Sequence, residues 1–162
     1  MPADSFRIVI DTNTLLRGLV ATSSASAKIK RAAERRTFVT LLSKPVLDEY
    51  RAVLLDENIA RRFPAITPRV VELTIRRLQY IGEFVRVPKT RFEYDRDERD
   101  RPFIELAIAL DATHIISADK DLLSLPESRG EAGKRFRQRL PGVKVLDAPS
   151  FLRAYGKEIE MS

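Results

Sequence analysis

The chain has 162 residues, of which 44% are hydrophobic and 32% charged, and we expect one soluble globular domain spanning residues 1–162. Because it contains no cysteine, disulfides, thiolate metal sites and cysteine nucleophiles are excluded. Lys and Arg outnumber Asp and Glu by 29 to 23, and the resulting net charge of +6 favours a polyanionic partner such as nucleic acid.

The first part of the chain alternates between strand and helix patterns. Short apolar runs with β-branched residues predict buried strands, and longer stretches with apolar residues at helical spacing predict helices. Ser43 is a suitable N-cap, and Pro45 is tolerated in the first turn of the helix that follows. The expected elements are strands at 6–10 and 37–42 and helices at 11–20, 25–36 and 43–55.

The second part continues the same alternation. Pro68 stands at the first position of a long amphipathic helix, where proline is favoured. The expected elements are helices at 67–81 and 100–111, strands at 84–87, 114–116 and 144–146, and a C-terminal helix from Ser150. We expect loops around Ser24, Asp56 and Glu93, and in the basic segment 126–141.

Strands that alternate with helices predict parallel pairing through crossover connections, hence an α/β fold with helices on both faces of one sheet. Ligands of such sheets bind beyond the carboxyl ends of the strands. Asp11 directly follows the first strand, Asp119 follows the strand at 114–116, and Asp100 stands at a helix start. The sequence therefore predicts an acidic site at this edge of the sheet.

Each acidic residue also has a simpler interpretation. Asp11 and Asp119 can cap the helices that follow them, and Asp100 can cap its own helix at the end of the charged run 95–100. Glu49 borders the apolar stripe of its helix, whereas Asp48 points nearly opposite, so Glu49 is the better candidate for a cleft. If these carboxylates converge, hard cations such as Mg²⁺ or Mn²⁺ would neutralise them and could act on a phosphodiester.

Four short motifs occur in the order and approximate spacing of the PIN-domain family. Residues 10–13 (Ile-Asp-Thr-Asn) resemble its opening motif, and residues 43–50 (Ser-Lys-Pro-Val-Leu-Asp-Glu-Tyr) resemble its glutamate-bearing helix. Residues 100–107 (Asp-Arg-Pro-Phe-Ile-Glu-Leu-Ala) and 116–123 (Ile-Ser-Ala-Asp-Lys-Asp-Leu-Leu) resemble its third and fourth acidic motifs. The closing segment 145–152 resembles that of a bacterial subgroup described as toxins of toxin–antitoxin systems.

The resemblance implies a three-layer α/β/α sandwich with a mainly parallel sheet. It also implies a metal-dependent endoribonuclease that hydrolyses phosphodiester bonds of single-stranded RNA and uses Mg²⁺ or Mn²⁺. Its implied partners are RNA, a protein antitoxin and a second copy of the chain in a homodimer or higher oligomer. The implied catalytic and metal-binding residues are Asp11, Glu49, Asp100 and Asp119, with Asn13 and Ser117 tuning the site through hydrogen bonds and Asp121 as an additional acid.

Other interpretations remain open at this point. A PIN-like module that binds RNA or a protein partner without cutting is the main alternative. Haloacid-dehalogenase-like phosphatases would need an aspartate at the position of Asn13. A zinc site has no support, because His114 is the one histidine of the sequence and lies in an expected buried strand. The chain also departs from the family pattern, since Ala118 stands where glycine is frequent and segment 126–141 is long.

The cellular location and the RNA-binding residues are predicted from less specific patterns in the sequence. No apolar run of about 18 residues and no signal-peptide pattern occurs, so we expect a cytoplasmic protein without a membrane segment. Two basic clusters are candidates for binding the RNA backbone, and the alternative is that their charge only makes the surface more soluble. The clusters are Lys28, Lys30, Arg31, Arg35 and Arg36, and Arg129, Lys134, Arg135, Arg137 and Arg139.

Overall fold

A computed structural model describes residues 6–94 and 98–160 of the protein. Asp95, Arg96 and Asp97 of the expected charged loop lie outside these residues. The strands are β1 (Arg7–Ile10), β2 (Val39–Ser43), β3 (Glu83–Val85), β4 (His114–Ile116) and β5 (Lys144–Leu146). They form one sheet in the order β3-β2-β1-β4-β5, in which every pair of neighbours is parallel.

Helices fill most of the connections between the strands. Ser24, Ser43 and Thr67 cap three of them, each accepting a hydrogen bond from the backbone N–H three residues later, as serine and threonine N-caps do. The helices in the described part of the chain are α1 (Thr12–Val20), α2 (Ala25–Glu34), α3 (Lys44–Leu54), α4 (Glu57–Arg62), α5 (Pro68–Ile81), α6 (Arg101–Ala109), α7 (Lys120–Ser124), α8 (Glu131–Arg139) and α9 (Ala148–Glu160).

The sheet and its helices confirm the expected three-layer α/β/α architecture. Helix α2 packs against α1, α5 and α9, while α6 packs against β1, β2 and β4. The central strand β1 is buried, with Ile8 and Val9 fully inaccessible to solvent. Of the helices within the described ranges, none is both long and apolar enough to cross a membrane.

Two segments expected to be loops contain helices instead. The segment after Asp56 forms the six-residue helix α4, and the basic segment 126–141 contains a 3-10 turn at Leu125–Glu127 followed by α8. Neither helix has a continuous apolar stripe, so helical periodicity could not show them. Long-range contacts hold α8 in place, because Phe136 is buried and Arg137 donates hydrogen bonds to the carbonyls of Pro126 and Ser128.

Gly133 allows α8 to approach the preceding turn closely. A Cβ atom at this position would lie 2.2 Å from the carbonyl oxygen of Ser128, whereas a Cβ at Gly156 in α9 would meet nothing within 4 Å. We expect Gly133→Ala to lower the free energy of unfolding by about 1–3 kcal/mol through overpacking. The matched Gly156→Ala should raise it by about 0.5–1 kcal/mol, because alanine favours a helix interior. Urea denaturation of both variants tests this, and equal effects would contradict the close approach.

An aromatic cluster joins β4 to the C-terminal helix. The imidazole of His114 lies with its centroid 4.9–5.6 Å from the rings of Phe6, Phe151 and Tyr155. Its Nδ1 lies 2.9 Å from Thr113 Oγ1, and that hydroxyl already donates to the carbonyl of Arg7. Nδ1 is therefore the donor toward Thr113, and the buried Nε2 atom, which has no hydrogen-bond partner, is unprotonated.

The buried neutral imidazole predicts a loss of stability in mild acid. Burial and the charge of Lys144 lower the pKa of His114 to about 4, below the ordinary value of 6.5. The unfolded chain therefore takes up a proton on this residue between about pH 6.5 and 4 before the folded chain does, which favours unfolding. We expect the free energy of unfolding to fall more steeply over this range in the wild type than in His114→Phe. Parallel pH profiles in chemical denaturation would contradict the expectation.

Candidate active site

Asp11 lies at the carboxyl end of the central strand, in a network of hydrogen bonds. Its side chain is 4% exposed, and Oδ1 accepts a 2.8 Å hydrogen bond from the backbone N–H of Thr14, so the residue does cap α1. Oδ2 accepts from the Ser117 hydroxyl at 2.5 Å and from the N–H of Ala118 at 3.3 Å. Burial raises the pKa of the Asp11 carboxyl, although these hydrogen bonds oppose the rise. Capping therefore accounts for only one of its two oxygens.

Ser117 connects Asp11 to Asp119. While its hydroxyl donates to Asp11, its oxygen accepts a 3.0 Å hydrogen bond from the N–H of Asp119. Asp119 is half-buried, and its Oδ1 accepts from the N–H of Asp121, which caps α7. Because β4 pairs with β1, the two acids that follow these strands are held side by side. Ser117 thus links the two acids through hydrogen bonds, while a role for it in tuning the site stays a prediction.

Asp100 differs from Asp11 and Asp119 in how it begins its helix. It is 7% exposed and begins α6, but its side chain makes no capping hydrogen bond to that helix. The capping interpretation, which fitted the sequence, is therefore wrong for Asp100. A carboxylate removed from water in this way is costly unless it interacts with other groups or a cation.

Glu49 and Asp48 lie on different faces of α3, as the apolar stripe indicated. Glu49 is half-buried and faces the pocket described below. Asp48 is exposed and pairs with Lys44 at 2.8 Å on the surface of the helix. The adjacent Tyr50 is buried and donates a 2.6 Å hydrogen bond to the carbonyl of Ile10, so α3 is fixed against the end of β1 next to Asp11.

All four candidate acids line one pocket at the carboxyl edge of the sheet. Asn13 lines it as well, whereas Asp121 is exposed and is not part of the lining. The sequence interpretation missed Arg99, which adds a positive charge, although it lies next to Asp100 in the charged run. The lining residues are Asp11, Thr12, Asn13, Glu49, Val53, Arg99, Asp100, Phe103 and Asp119.

The chemistry of this lining fits a hard divalent cation. Its acidic ligand atoms are carboxylate oxygens, and no histidine or cysteine lies among them, which suits Mg²⁺ or Mn²⁺ and not Zn²⁺. In the part of the chain that the structure describes, no three acidic or histidine side chains are gathered into a complete metal-ligand set. Asp11 and Asp119 each direct one oxygen to a helix cap, and like charges repel. Binding a cation therefore requires the carboxylates to move closer together.

The two basic clusters have different surroundings. On α2, Lys28 and Arg31 are exposed and Lys30 forms an ion pair with Glu34. Arg35 and Arg36, which follow the helix, are exposed as well. On α8, three arginines donate hydrogen bonds to carbonyls of other segments, so they hold α8 in place. These pairs are Arg135 with Glu93, Arg137 with Pro126 and Ser128, and Arg139 with Arg91.

Comparisons with known proteins agree with this arrangement. An uncharacterized protein of Methanocaldococcus jannaschii is 29% identical over 119 residues, which cover 74% of this chain and 74% of that protein. No solved structure matches the chain significantly. The family model described as PIN domain matches residues 7–121, a range that contains β1, β4 and all four acids of the pocket. The chain therefore belongs to the PIN-domain family.

Proposed function

We propose that the protein is a metal-dependent endoribonuclease that hydrolyses phosphodiester bonds of single-stranded RNA. The observation that carries this proposal is the pocket lined by Asp11, Glu49, Asp100 and Asp119 at the carboxyl ends of the strands. PIN domains are in general nucleases that use divalent metal ions and act on RNA. The four carboxylates supply oxygen ligands around one pocket, whose lining also includes the positive residue Arg99.

In this proposal the four carboxylates hold Mg²⁺ or Mn²⁺. When bound, such an ion neutralises the phosphate charge and lowers the pKa of water toward neutrality. Ser117 and the N–H of Ala118 fix the orientation of the Asp11 carboxylate. Arg99 lies on the pocket wall, where its charge can attract the RNA phosphate. His114 does not line this pocket, because it begins β4, at the end of the strand away from the acids, and its ring packs in the aromatic cluster.

The test is cleavage of a labelled single-stranded RNA by the purified chain with Mn²⁺, with Mg²⁺ and with chelator. We expect cleavage in the first two reactions and none in the third, and slower cleavage of the same sequence annealed to its complement. Cleavage that continues at the same rate in chelator would contradict the proposal. Salt-dependent RNA binding without cleavage would favour the alternative, a PIN-like module that binds RNA and does not cut.

A role as the toxin of a toxin–antitoxin pair, a protein antitoxin and a homodimer or higher oligomer remain predictions from the resemblance. So does the assignment of residues 1–162 to one domain. The exposed Leu73 and Tyr80 on α5 are the apolar side chains that such an association could cover. Light scattering of the purified chain measures self-association directly.

A further inference from the structure

A second cavity adjoins the acidic pocket and has a different character. It is lined by Asn13, Leu16, Arg17, Val20, Phe63 and Ala118, and we call it the α1 groove. Its volume of about 240 Å³ exceeds the 110 Å³ of the acidic pocket. Asn13 lines both cavities, and the N–H of Ala118 donates to Asp11, so the groove begins where the acidic site ends.

One face of α1 forms the floor of the groove. Asn13, Leu16, Arg17 and Val20 are spaced by three, four and seven residues from Asn13, which places them on the same side of the helix. The groove therefore runs along α1 for about 10 Å, at 1.5 Å per residue. It changes along its length from an amide beside the acids to an arginine and then to an apolar end. Such a graded surface has polar atoms near the acids and an apolar surface beyond them.

Phe63 adds an aromatic ring to the lining of the groove. It ends α4, and its side chain is half-buried even though no residue of that helix is buried. The guanidinium of Arg62 lies 5.3 Å from the centroid of the Phe63 ring. The groove therefore combines an aromatic ring, one arginine and an amide with apolar side chains, and it adjoins the carboxylate pocket. An apolar peptide side chain would use the floor and the ring but neither Arg17 nor Asn13.

We infer that the α1 groove holds an unpaired nucleobase of the RNA strand, next to the phosphodiester in the acidic pocket. The base stacks on Phe63, Asn13 faces its polar edge, and Arg17 contacts a neighbouring phosphate. This inference rests on the proposed function and adds to it a requirement for a base at one position beside the cleaved bond. It also explains a preference for single strands, because a base paired in a duplex cannot enter the groove.

The test measures binding in chelator, so that it does not depend on cleavage. The probes are a fluorescent single-stranded RNA of mixed sequence and an abasic oligomer of the same length. We expect Phe63→Ala to weaken binding of the RNA by about 5- to 150-fold, the range for an aromatic side chain that stacks on a base. The abasic oligomer should bind wild type and Phe63→Ala equally.

Three further variants and a parallel assay make the result specific. Phe63→Leu keeps the apolar volume without the aromatic ring and should also weaken RNA binding. It replaces Phe63→Ala in the test if that variant does not fold. Arg17→Gln should weaken binding of both oligomers, because it removes a phosphate contact. Phe84→Ala, on β3 and 43% exposed, is the matched control and should change neither affinity.

Cleavage with Mn²⁺ is measured on the same preparations. One outcome is that Phe63→Ala removes base-dependent binding while the wild type does not cleave RNA. This would support the base site in the α1 groove and contradict the proposed nuclease activity. Cleavage by the wild type with unchanged RNA affinity in folded Phe63→Ala and Phe63→Leu would overturn the base site. In that case a protein partner would be the remaining candidate ligand of the α1 groove.

Discussion

Asp11→Asn is expected to reduce metal-dependent RNA cleavage by at least about a hundredfold, since a metal ion in such a site supplies several kcal/mol of transition-state stabilisation. Asparagine keeps an oxygen that can accept the hydrogen bond from the N–H of Thr14, so α1 remains capped. It removes a charge from a side chain that is 4% exposed and lies among three other acids. The amide nitrogen loses the hydrogen bond that Oδ2 accepts from the N–H of Ala118, and the relief of like-charge repulsion offsets this loss. We therefore expect the variant to stay folded with a stability close to that of the metal-free wild type.

Asp48→Asn is the matched control for this substitution. Asp48 lies next to Glu49 in sequence but on the exposed face of α3, where it pairs with Lys44. The same chemical change there should leave the cleavage rate within about twofold, because an exposed ion pair contributes little. Both rates are measured with Mn²⁺ on one RNA, with urea denaturation of each protein. If Asp11→Asn cuts as fast as Asp48→Asn, the activity comes from another site and the metal assignment is wrong.

Phe151→Ala is expected to have the largest effect on stability, lowering the free energy of unfolding by about 3–5 kcal/mol. Phe151 is fully buried, and its ring centroid lies 5.1–6.5 Å from those of Phe6, Phe38, His114 and Tyr155. The truncation leaves a cavity that these rings can only partly fill, because they belong to separate elements of the fold.

The matched control is Leu73→Ala, since Leu73 is 53% exposed on α5 and should contribute less than about 0.5 kcal/mol. Urea midpoints with unchanged slopes give both values. A loss below about 1 kcal/mol for Phe151→Ala would mean that α9 does not complete the core. The RNA affinity of the folded fraction should stay unchanged, since Phe151 lines neither the acidic pocket nor the α1 groove.

The positions of the strands and the choice of candidate acids followed from local patterns. Ile8 to Ile10 form a short β-branched run that ends at Asp11, and its length and β-branched residues favour a buried strand with its next residue at the sheet edge. The helical stripe of α3 correctly separated Glu49 from Asp48. These features depend on residues adjacent in sequence or one helical turn apart, which is why a single sequence reveals them.

The remaining features depend on contacts between distant segments. Helix α8 has Phe136 as its buried large side chain, and its Arg135 and Arg139 donate to the carbonyls of Glu93 and Arg91, 42 and 48 residues away. Arg99 looked like one charge among many, and only the packing of α6 places it on the pocket wall. Whether Asp100 caps its helix depends on backbone angles that Asp-Arg-Pro does not fix. Tertiary contacts decide each of these, and periodicity does not record them.

The hydrogen bond between Asp11 and Ser117 joins residues 106 positions apart, and this separation bears on how the protein is synthesised. A ribosome delivers the first strand and Glu49 long before it delivers β4. Until then the Asp11 carboxylate has neither its donor Ser117 nor its neighbour Asp119, and the incomplete chain holds only three of the four acids. If the site cuts RNA, a nascent copy is inert toward the message and the ribosomal RNA around it. The position of β4 in the chain thus makes activity depend on the synthesis of Ser117 and Asp119, which follow the other three acids.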